Sequence, residues 1–198
     1  MRKEDLLKLI AETAYNVGFG AKKHFATYDI VEKAPGWIGA ISMFVGVFAL
    51  VINYFAEKHI SAFLIVFGVA GLYINFYNET KQSYEQKGVF LTQLFNELKV
   101  LYLKVKASDK SDFSEDAEKL SEIESRYYSN CISKQILFSD WYAHYKFFWQ
   151  HQIDWVNEQK QFKFWRDKIP LSFVIVVSIV ILGLIAFGCC AFFKRVTI

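Results

Sequence analysis

Four polar side chains in the last third of the chain have the types and spacing of a metal site. They are Asp140, His144, His151 and Asp154. Spacings of four, seven and three residues would place them on one face of a continuous helix, and imidazole and carboxylate groups are ligands for zinc or iron. A solvated polar face opposite an aromatic core has the same spacing, and we favour that simpler interpretation. The sequence therefore predicts no metal and no cofactor. These four residues would be the candidate ligands if a metal were bound.

Motifs for enzyme chemistry are absent from the sequence. The chain has no glycine-rich phosphate loop, no Cys-x-x-Cys pair, no His-Glu-x-x-His and no nucleophile elbow. Its net charge is only +3, and no stripe of lysine or arginine accompanies its aromatic residues, so direct nucleic-acid binding is not expected. The sequence therefore predicts a non-enzymatic protein.

Two uncharged apolar runs, residues 34–55 and 60–78, stand four residues apart in the first half of the chain. A 22-residue helix rises about 33 Å, which is enough to cross the hydrocarbon core of a bilayer. Hydrophobic residues make up 54% of the chain, yet 22% of its residues are charged and nearly all of these lie outside the apolar runs. We therefore expect a transmembrane hairpin attached to a polar portion.

Each run carries small or polar residues at alternating spacings of three and four. In the first run these are Gly39, Ser42, Gly46, Ala49 and Asn53, and in the second they are Ser61, Leu64, Gly68, Gly71, Asn75 and Asn78. Helices in a membrane associate through close backbone approach and polar contacts, so the stripes predict protein-facing sides. Either they join the two spans within one chain, or they form an intersubunit or pore-lining surface, at which the asparagines would meet a seam or a lumen.

A third uncharged run, residues 169–193, is rich in Val, Ile, Leu and Phe, so we expect it to anchor the chain in lipid. Aromatic and basic residues next to the runs are expected at the membrane interface; these are Lys33, Trp37, Trp165, Arg166 and Lys168. Six lysines or arginines precede the first run, whereas the link to the second run has only Lys58. The positive-inside rule therefore predicts a cytoplasmic N-terminus.

Periodicity predicts an all-α fold in five parts: an amphipathic cytoplasmic helix at 1–34, the hairpin at 35–78, a cytoplasmic helical region at 79–168, a transmembrane helix at 169–193 and a tail at 194–198. Pro35 and Gly36 are expected to end the first helix. That helix either packs on the later cytoplasmic helices, which we favour, or lies along the inner leaflet. The second span is expected to continue unbroken to about Ala107, and Asp112 to cap the next helix. Residues at helical spacing in the aromatic segment at 136–165 are expected in the core; these are Phe138, Trp141 or Tyr142, Tyr145, Phe148 or Trp149, Gln152, and Trp155 or Val156.

The order of these segments resembles the SLATT membrane domains of bacterial conflict systems. The resemblance covers about residues 5–165 and rests on Ala14-Tyr15-Asn16 to Lys22-Lys23-His24, the break at Pro35-Gly36-Trp37, the tight two-span hairpin and the helical extension. It implies an anti-phage effector of the inner membrane that oligomerises and forms pores, or otherwise breaches the membrane, when a partner sensor detects infection. The sensor would be a nucleotide-signal enzyme or a reverse transcriptase. The third apolar run departs from a two-span domain.

The residues themselves leave two functional classes open. One is a homo-oligomeric, pore-forming or membrane-disrupting effector, whose partners are the lipid bilayer and other copies of the chain. The other is a membrane scaffold that tethers a soluble partner through its cytoplasmic helices. In the scaffold the asparagines would only join the two helices of the hairpin.

Overall fold

A computed structural model describes the backbone of residues 2–196 and the side chains of residues 2–186. Its α-helices are α1 (Lys3–Ala49), α2 (Lys58–Asn75), α3 (Lys81–Ala107), α4 (Ser114–Tyr128), α5 (Ser139–Gln150), α6 (Asp154–Lys160), α7 (Phe164–Asp167) and α8 (Leu171–Val196). Short 3-10 turns at Asn53–Ala56 and Asn78–Thr80 flank α2. No strand occurs within 2–196, so the predicted all-α class is confirmed. Residues 1–160 and 161–198 form two separate compact units.

The first helix runs without interruption through Pro35, so the predicted break at Pro35 and Gly36 is wrong. A proline has no N–H, and the carbonyl of Val31 therefore loses its helical hydrogen bond. Packing on both sides of the proline stabilises the continuation. Val31 is buried in a hydrophobic cluster, and Ala34 and Ile38 pack against the same cluster. No helix boundary therefore occurs at residue 34. Instead, the side chains of α1 change there from mostly packed to mostly exposed.

Residues 3–31 of α1 form, together with α3, α4, α5 and α6, a body that we call the helical bundle. The predicted apolar face of α1 is its core, since Leu6, Ile10, Ala14, Val17 and Ala21 are fully buried. One face of α3 is buried too, with Leu91, Leu94, Leu98, Tyr102 and Val105 among its core residues. The N-terminal helix therefore packs on the later helices, as favoured from the sequence.

Two glycines allow the close approach of α1 and α3 in the bundle. A Cβ added at Gly18 would lie 2.8 Å from the Phe95 ring and 2.9 Å from the Phe147 ring, and one at Gly88 would lie 3.0 Å from the Phe25 ring. Ordinary carbon contacts are about 3.5–4.0 Å. Aromatic rings therefore occupy the space that a side chain at either position would need.

Two predicted helix boundaries differ from the structure. The second span does not run unbroken to Ala107, because α2 ends at Asn75 and Tyr77 turns inward to a buried position before α3 begins. The helix after the loop begins at Ser114, where Asp112 accepts hydrogen bonds from the Ser114 N–H (3.1 Å) and hydroxyl (2.7 Å). Asp112 thus stabilises the turn that precedes α4 instead of occupying the cap position.

The aromatic segment contributes to the core only in part. Trp155 and Val156 are buried, as expected, whereas Phe138, Tyr145 and Trp149 are exposed. Phe147, which is outside the predicted repeat, is fully buried. The segment is also not one helix, because α5 ends at Gln150 and α6 begins at Asp154. The intervening link buries Ile153 against the bundle.

Candidate functional site

The surface most unlike that of a water-soluble protein is the apolar hairpin, by which we mean residues 34–75. Two helical stretches, Lys3–Ala49 and Lys58–Ala107, are long and apolar enough to cross a membrane, and their most apolar windows are only 6% and 11% buried. The core helix of a soluble protein would instead be mostly buried. Side chains such as Met43, Phe63 and Leu72 project from the hairpin and are 70%, 62% and 68% exposed.

The two helices of the hairpin contact each other along one seam. Half-buried positions mark this seam; on α1 they are Ile38, Ser42, Val45 and Ala49, and on α2 they are Leu64, Phe67, Ala70 and Gly71. The seam therefore includes only part of the predicted stripes, namely Ser42, Ala49, Leu64 and Gly71.

Three of the four stripe glycines lie beside the seam. Gly39, Gly46 and Gly68 are exposed, and a Cβ added at any of them, or at Gly71, would meet no atom within 4 Å. The other exposed stripe residues are Asn53, Ser61, Asn75 and Asn78. The stripes thus split between the seam and an open surface, and the four glycines do not join the two helices by close backbone approach within one chain.

The asparagines lie at the ends of the hairpin. Asn53 begins the 3-10 turn at its tip, Asn75 ends α2 and Asn78 begins the 3-10 turn that leads to α3. No asparagine therefore lies halfway along either helix.

A hydrophobic cluster joins the hairpin to the bundle. Its buried members are Val31, Ile74, Tyr77, Tyr84 and Ile136. The Tyr84 hydroxyl donates to the Lys134 carbonyl at 2.6 Å, and the Leu137 N–H donates to the Tyr73 hydroxyl at 3.2 Å. An ion pair of 2.7 Å between Lys81 and Glu32 spans the same level. The segment at 130–138 is therefore attached to both the hairpin and α3.

His24 is a further tie that sequence reasoning missed. Its Nε2 accepts the Ile132 N–H at 3.1 Å, and its Nδ1 lies 2.7 Å from the Gly20 carbonyl, which requires the proton on Nδ1. Burial lowers the pKa of His24 and favours this neutral form. The signal in the sequence is a histidine beside Ala21 on the predicted apolar face, where a charged ring would be costly.

The predicted interface residues occupy the surface in both units. Trp37 is 69% exposed just after the cluster, and Lys33 forms a 2.7 Å ion pair with Asp29 one turn earlier. In the second unit Trp165 is 81% exposed, and Arg166 pairs with Asp167 at 2.9 Å. Lys168 is half-buried just before α8. Their contact with lipid headgroups stays a prediction.

The four metal candidates are not brought together. Asp140 forms a 2.7 Å ion pair with Lys23, and His151 lies beyond the end of α5. His144 contacts the Phe19 ring, while burial, followed by the charges of Lys22 and Lys99, lowers the pKa of His151 to about 4. Within the described residues no three His, Cys, Asp or Glu side chains are grouped so as to hold a metal ion. The metal interpretation required one continuous helix through all four residues, but α5 ends at Gln150 and α6 begins only at Asp154.

An exposed apolar hairpin continuous with a buried helical bundle defines an all-α membrane protein of the two-span class. A family model described as SMODS and SLOG-associating 2TM effector domain 6 matches residues 1–177. The chain belongs to this SLATT family, as the sequence predicted, and is therefore a membrane effector of conflict systems. Comparisons with curated proteins and with solved structures give no match. The family description counts two spans, so a third span at 169–193 stays a prediction, although α8 begins at Leu171 and its side chains to residue 186 are exposed.

Proposed function

We propose that this protein is an anti-phage effector of the bacterial inner membrane that self-assembles through its hairpin and permeabilises the membrane when a partner sensor triggers it. Its N-terminus and helical bundle lie in the cytoplasm, α8 serves as an additional anchor, and the activity requires no catalytic residue. The observation that carries this proposal is the row of exposed glycines beside the hairpin seam.

Small residues favour association of helices in lipid because they let two backbones approach closely. Gly39 and Gly46 are seven residues apart, which places them on one face of α1, and each has open space around it. On α1 this face is about a quarter turn from the seam at Ile38 and Ser42, by the 100° step of a helix. A second copy can therefore pack there without displacing α2.

The asparagines give the assembly a polar contribution at its two ends. Asn53 lies at the tip of the hairpin and Asn75 at its base, and both are exposed in a single chain. An amide in hydrocarbon is costly unless it meets a partner or water. In the assembly these groups line the two mouths of a water path, which is where a partly hydrated amide is least costly.

A membrane scaffold is the second candidate. An open groove of about 720 Å³ between α3 and α4 favours it, with Val100, which is 68% exposed, among its lining residues. In that case the bundle tethers a soluble partner through this groove. Ion conductance would then be absent, whatever the state of assembly.

The test is assembly and leakage of the full-length chain. Gly39→Leu with Gly46→Leu should lower crosslinking between copies in membranes several-fold and reduce depolarisation reported by a voltage-sensitive dye. Ala40→Leu is the matched control, because Ala40 is exposed on the side of α1 opposite the seam. Equal crosslinking of the double variant and the control would refute assembly through the glycines. Normal crosslinking of the wild type without depolarisation would favour the scaffold.

The asparagines are tested separately. Asn53→Leu with Asn75→Leu should lower ion leakage while expression and crosslinking are retained. Asp140→Asn is the control, because Asp140 lies in the bundle with an exposed side chain. Full leakage in the asparagine variant would remove these amides from the water path.

A further inference from the structure

A cleft in the bundle lies apart from the hairpin and concentrates positive charge. It has a volume of about 360 Å³ and lies where α1 and α3 meet the link between α5 and α6. Its polar lining includes Lys22, Asn96, Lys99, Gln150, His151 and Gln152. No carboxylate is among the residues that line it. The cleft therefore offers hydrogen-bond donors and cations without an internal counter-ion.

Lys22 is half-buried and, within the described part of the chain, lacks the ion pair that several lysines of the bundle form. Lys23, Lys81, Lys104 and Lys106 each form an ion pair with a carboxylate at 2.7 Å or less. Among the described residues Lys22 has no such partner, and its ammonium lies only against the Phe25 ring, 6.0 Å from the centroid. Burial and the nearby charge of Lys146 lower the pKa of Lys22. A half-buried ammonium without a counter-ion is costly, and a bound anion would offset that cost.

His151 also lines the cleft. Its Nδ1 is buried and has no hydrogen-bond partner among the described residues, while its ring contacts that of Phe95 at 4.6 Å between centroids. Burial, followed by the charges of Lys22 and Lys99, lowers the pKa of His151 to about 4, so the ring is neutral near pH 7.

We propose that this cleft binds a phosphate-bearing anion, held by Lys22 and Lys99 as counter-ions and by the side-chain amides of Asn96, Gln150 and Gln152 as hydrogen-bond donors. Ligand pockets are typically about 300–1,000 Å³, and this cleft lies near the lower limit, which suits a small anion or a single headgroup. Lysine ammonium groups bind phosphate as point charges, and the exposed amides of Asn96, Gln150 and Gln152 can donate to its oxygens. The site is independent of the proposed pore and of its assembly.

The test uses the full-length chain in neutral detergent micelles and follows its thermal unfolding. Inorganic pyrophosphate at millimolar concentration should raise the midpoint by about 2–4 °C relative to potassium chloride of equal ionic strength. Lys22→Gln and Lys99→Gln should each abolish most of this rise. Lys8→Gln should retain it, because Lys8 is exposed on α1 outside the cleft. Lys99→Gln keeps the test valid if Lys22→Gln fails to fold.

A second arm separates a soluble phosphate from a lipid headgroup. Short-chain phosphatidylglycerol is added to the micelles, with phosphatidylcholine of the same chain length as the control. A rise with pyrophosphate assigns a soluble ligand, and a rise with phosphatidylglycerol alone, lost in Lys99→Gln, assigns a headgroup. The proposal is overturned if neither probe shifts the wild type, or if both lysine variants respond as the wild type does.

Discussion

Gly18 is the position at which a single methyl group should most disturb the bundle. In Gly18→Ala the new Cβ would lie 2.8 Å from Phe95 and 2.9 Å from Phe147, whose side chains are 2% and 0% exposed. Those distances are about 0.6–1.2 Å shorter than ordinary carbon contacts. Neither ring has solvent into which it can move, so α1 must shift away from α3.

The expected magnitude follows from two opposing contributions. Overpacking of a close-packed core costs about 1–3 kcal/mol, whereas replacing a helical glycine by alanine gains up to about 1 kcal/mol. The free energy of unfolding of the bundle should therefore fall by about 1–2 kcal/mol in Gly18→Ala. Gly36→Ala is the matched control on the same helix, since its Cβ meets no atom within 4 Å. Gly36→Ala should therefore gain helix stability without any cost from overpacking.

Hydrogen exchange measured by mass spectrometry on the peptides of α1 checks this prediction. Protection of residues 6–31 should fall about five- to thirty-fold in Gly18→Ala and should stay the same or rise in Gly36→Ala. Gly88→Ala should lie between them, because its 3.0 Å contacts are with Phe25, a ring that is only half-buried. Unchanged protection in Gly18→Ala would refute the reasoning, since the rings would then be free to yield.

Three further predictions concern protonation, topology and the base of the hairpin. Burial lowers the pKa of His24, His144 and His151 in the folded state, that of His151 to about 4. Below the ordinary value of 6.5 the unfolded state therefore binds more protons than the folded state. The midpoint of thermal unfolding should accordingly fall as the pH decreases from about 6.5 to 4. In a cysteine-free background, Lys58→Cys should react with a membrane-impermeant thiol reagent in intact cells and Ser108→Cys should not; labelling of the latter alone would reverse the orientation. Tyr84→Phe removes the 2.6 Å bond to Lys134 and should speed hydrogen exchange of residues 130–138 at a cost of about 0.5–1.5 kcal/mol, and equal exchange would show that packing alone holds this segment.

Periodic patterns allowed the helices and their buried faces to be predicted. Ile10 and Val17 are core residues because apolar side chains at helical spacing can be buried only on one face. The family could be predicted in the same way, because composition and spacing reveal the order of an amphipathic helix, a tight hairpin and a helical extension. Local chemistry was less informative at Pro35, where tertiary packing outweighs the loss of one hydrogen bond.

Pairwise tertiary contacts could not be predicted from the sequence. Gly18 and Gly46 cannot be distinguished by the helical pattern. Two aromatic rings nevertheless occupy the space beside Gly18, whereas Gly46 faces open space. Likewise His151 and Lys22 are 129 positions apart, and only the fold brings both to one cleft. Spacing along one helix identifies a face, whereas the partner of that face depends on loops such as 151–153 whose geometry has no periodic signature.

The continuity of α1 gives the protein a mechanical property. At 1.5 Å per residue, its 47 residues extend about 70 Å, and the portion beyond Pro35 extends about 21 Å. A rotation of 10° at the weakened bond of Val31 would displace the far end of that portion by about 4 Å, close to half the usual separation of 8–10 Å between packed helices. Because α1 is continuous, it connects the bundle directly to the hairpin, and the lost hydrogen bond at Val31 marks the place where a change of tilt between them would cost least.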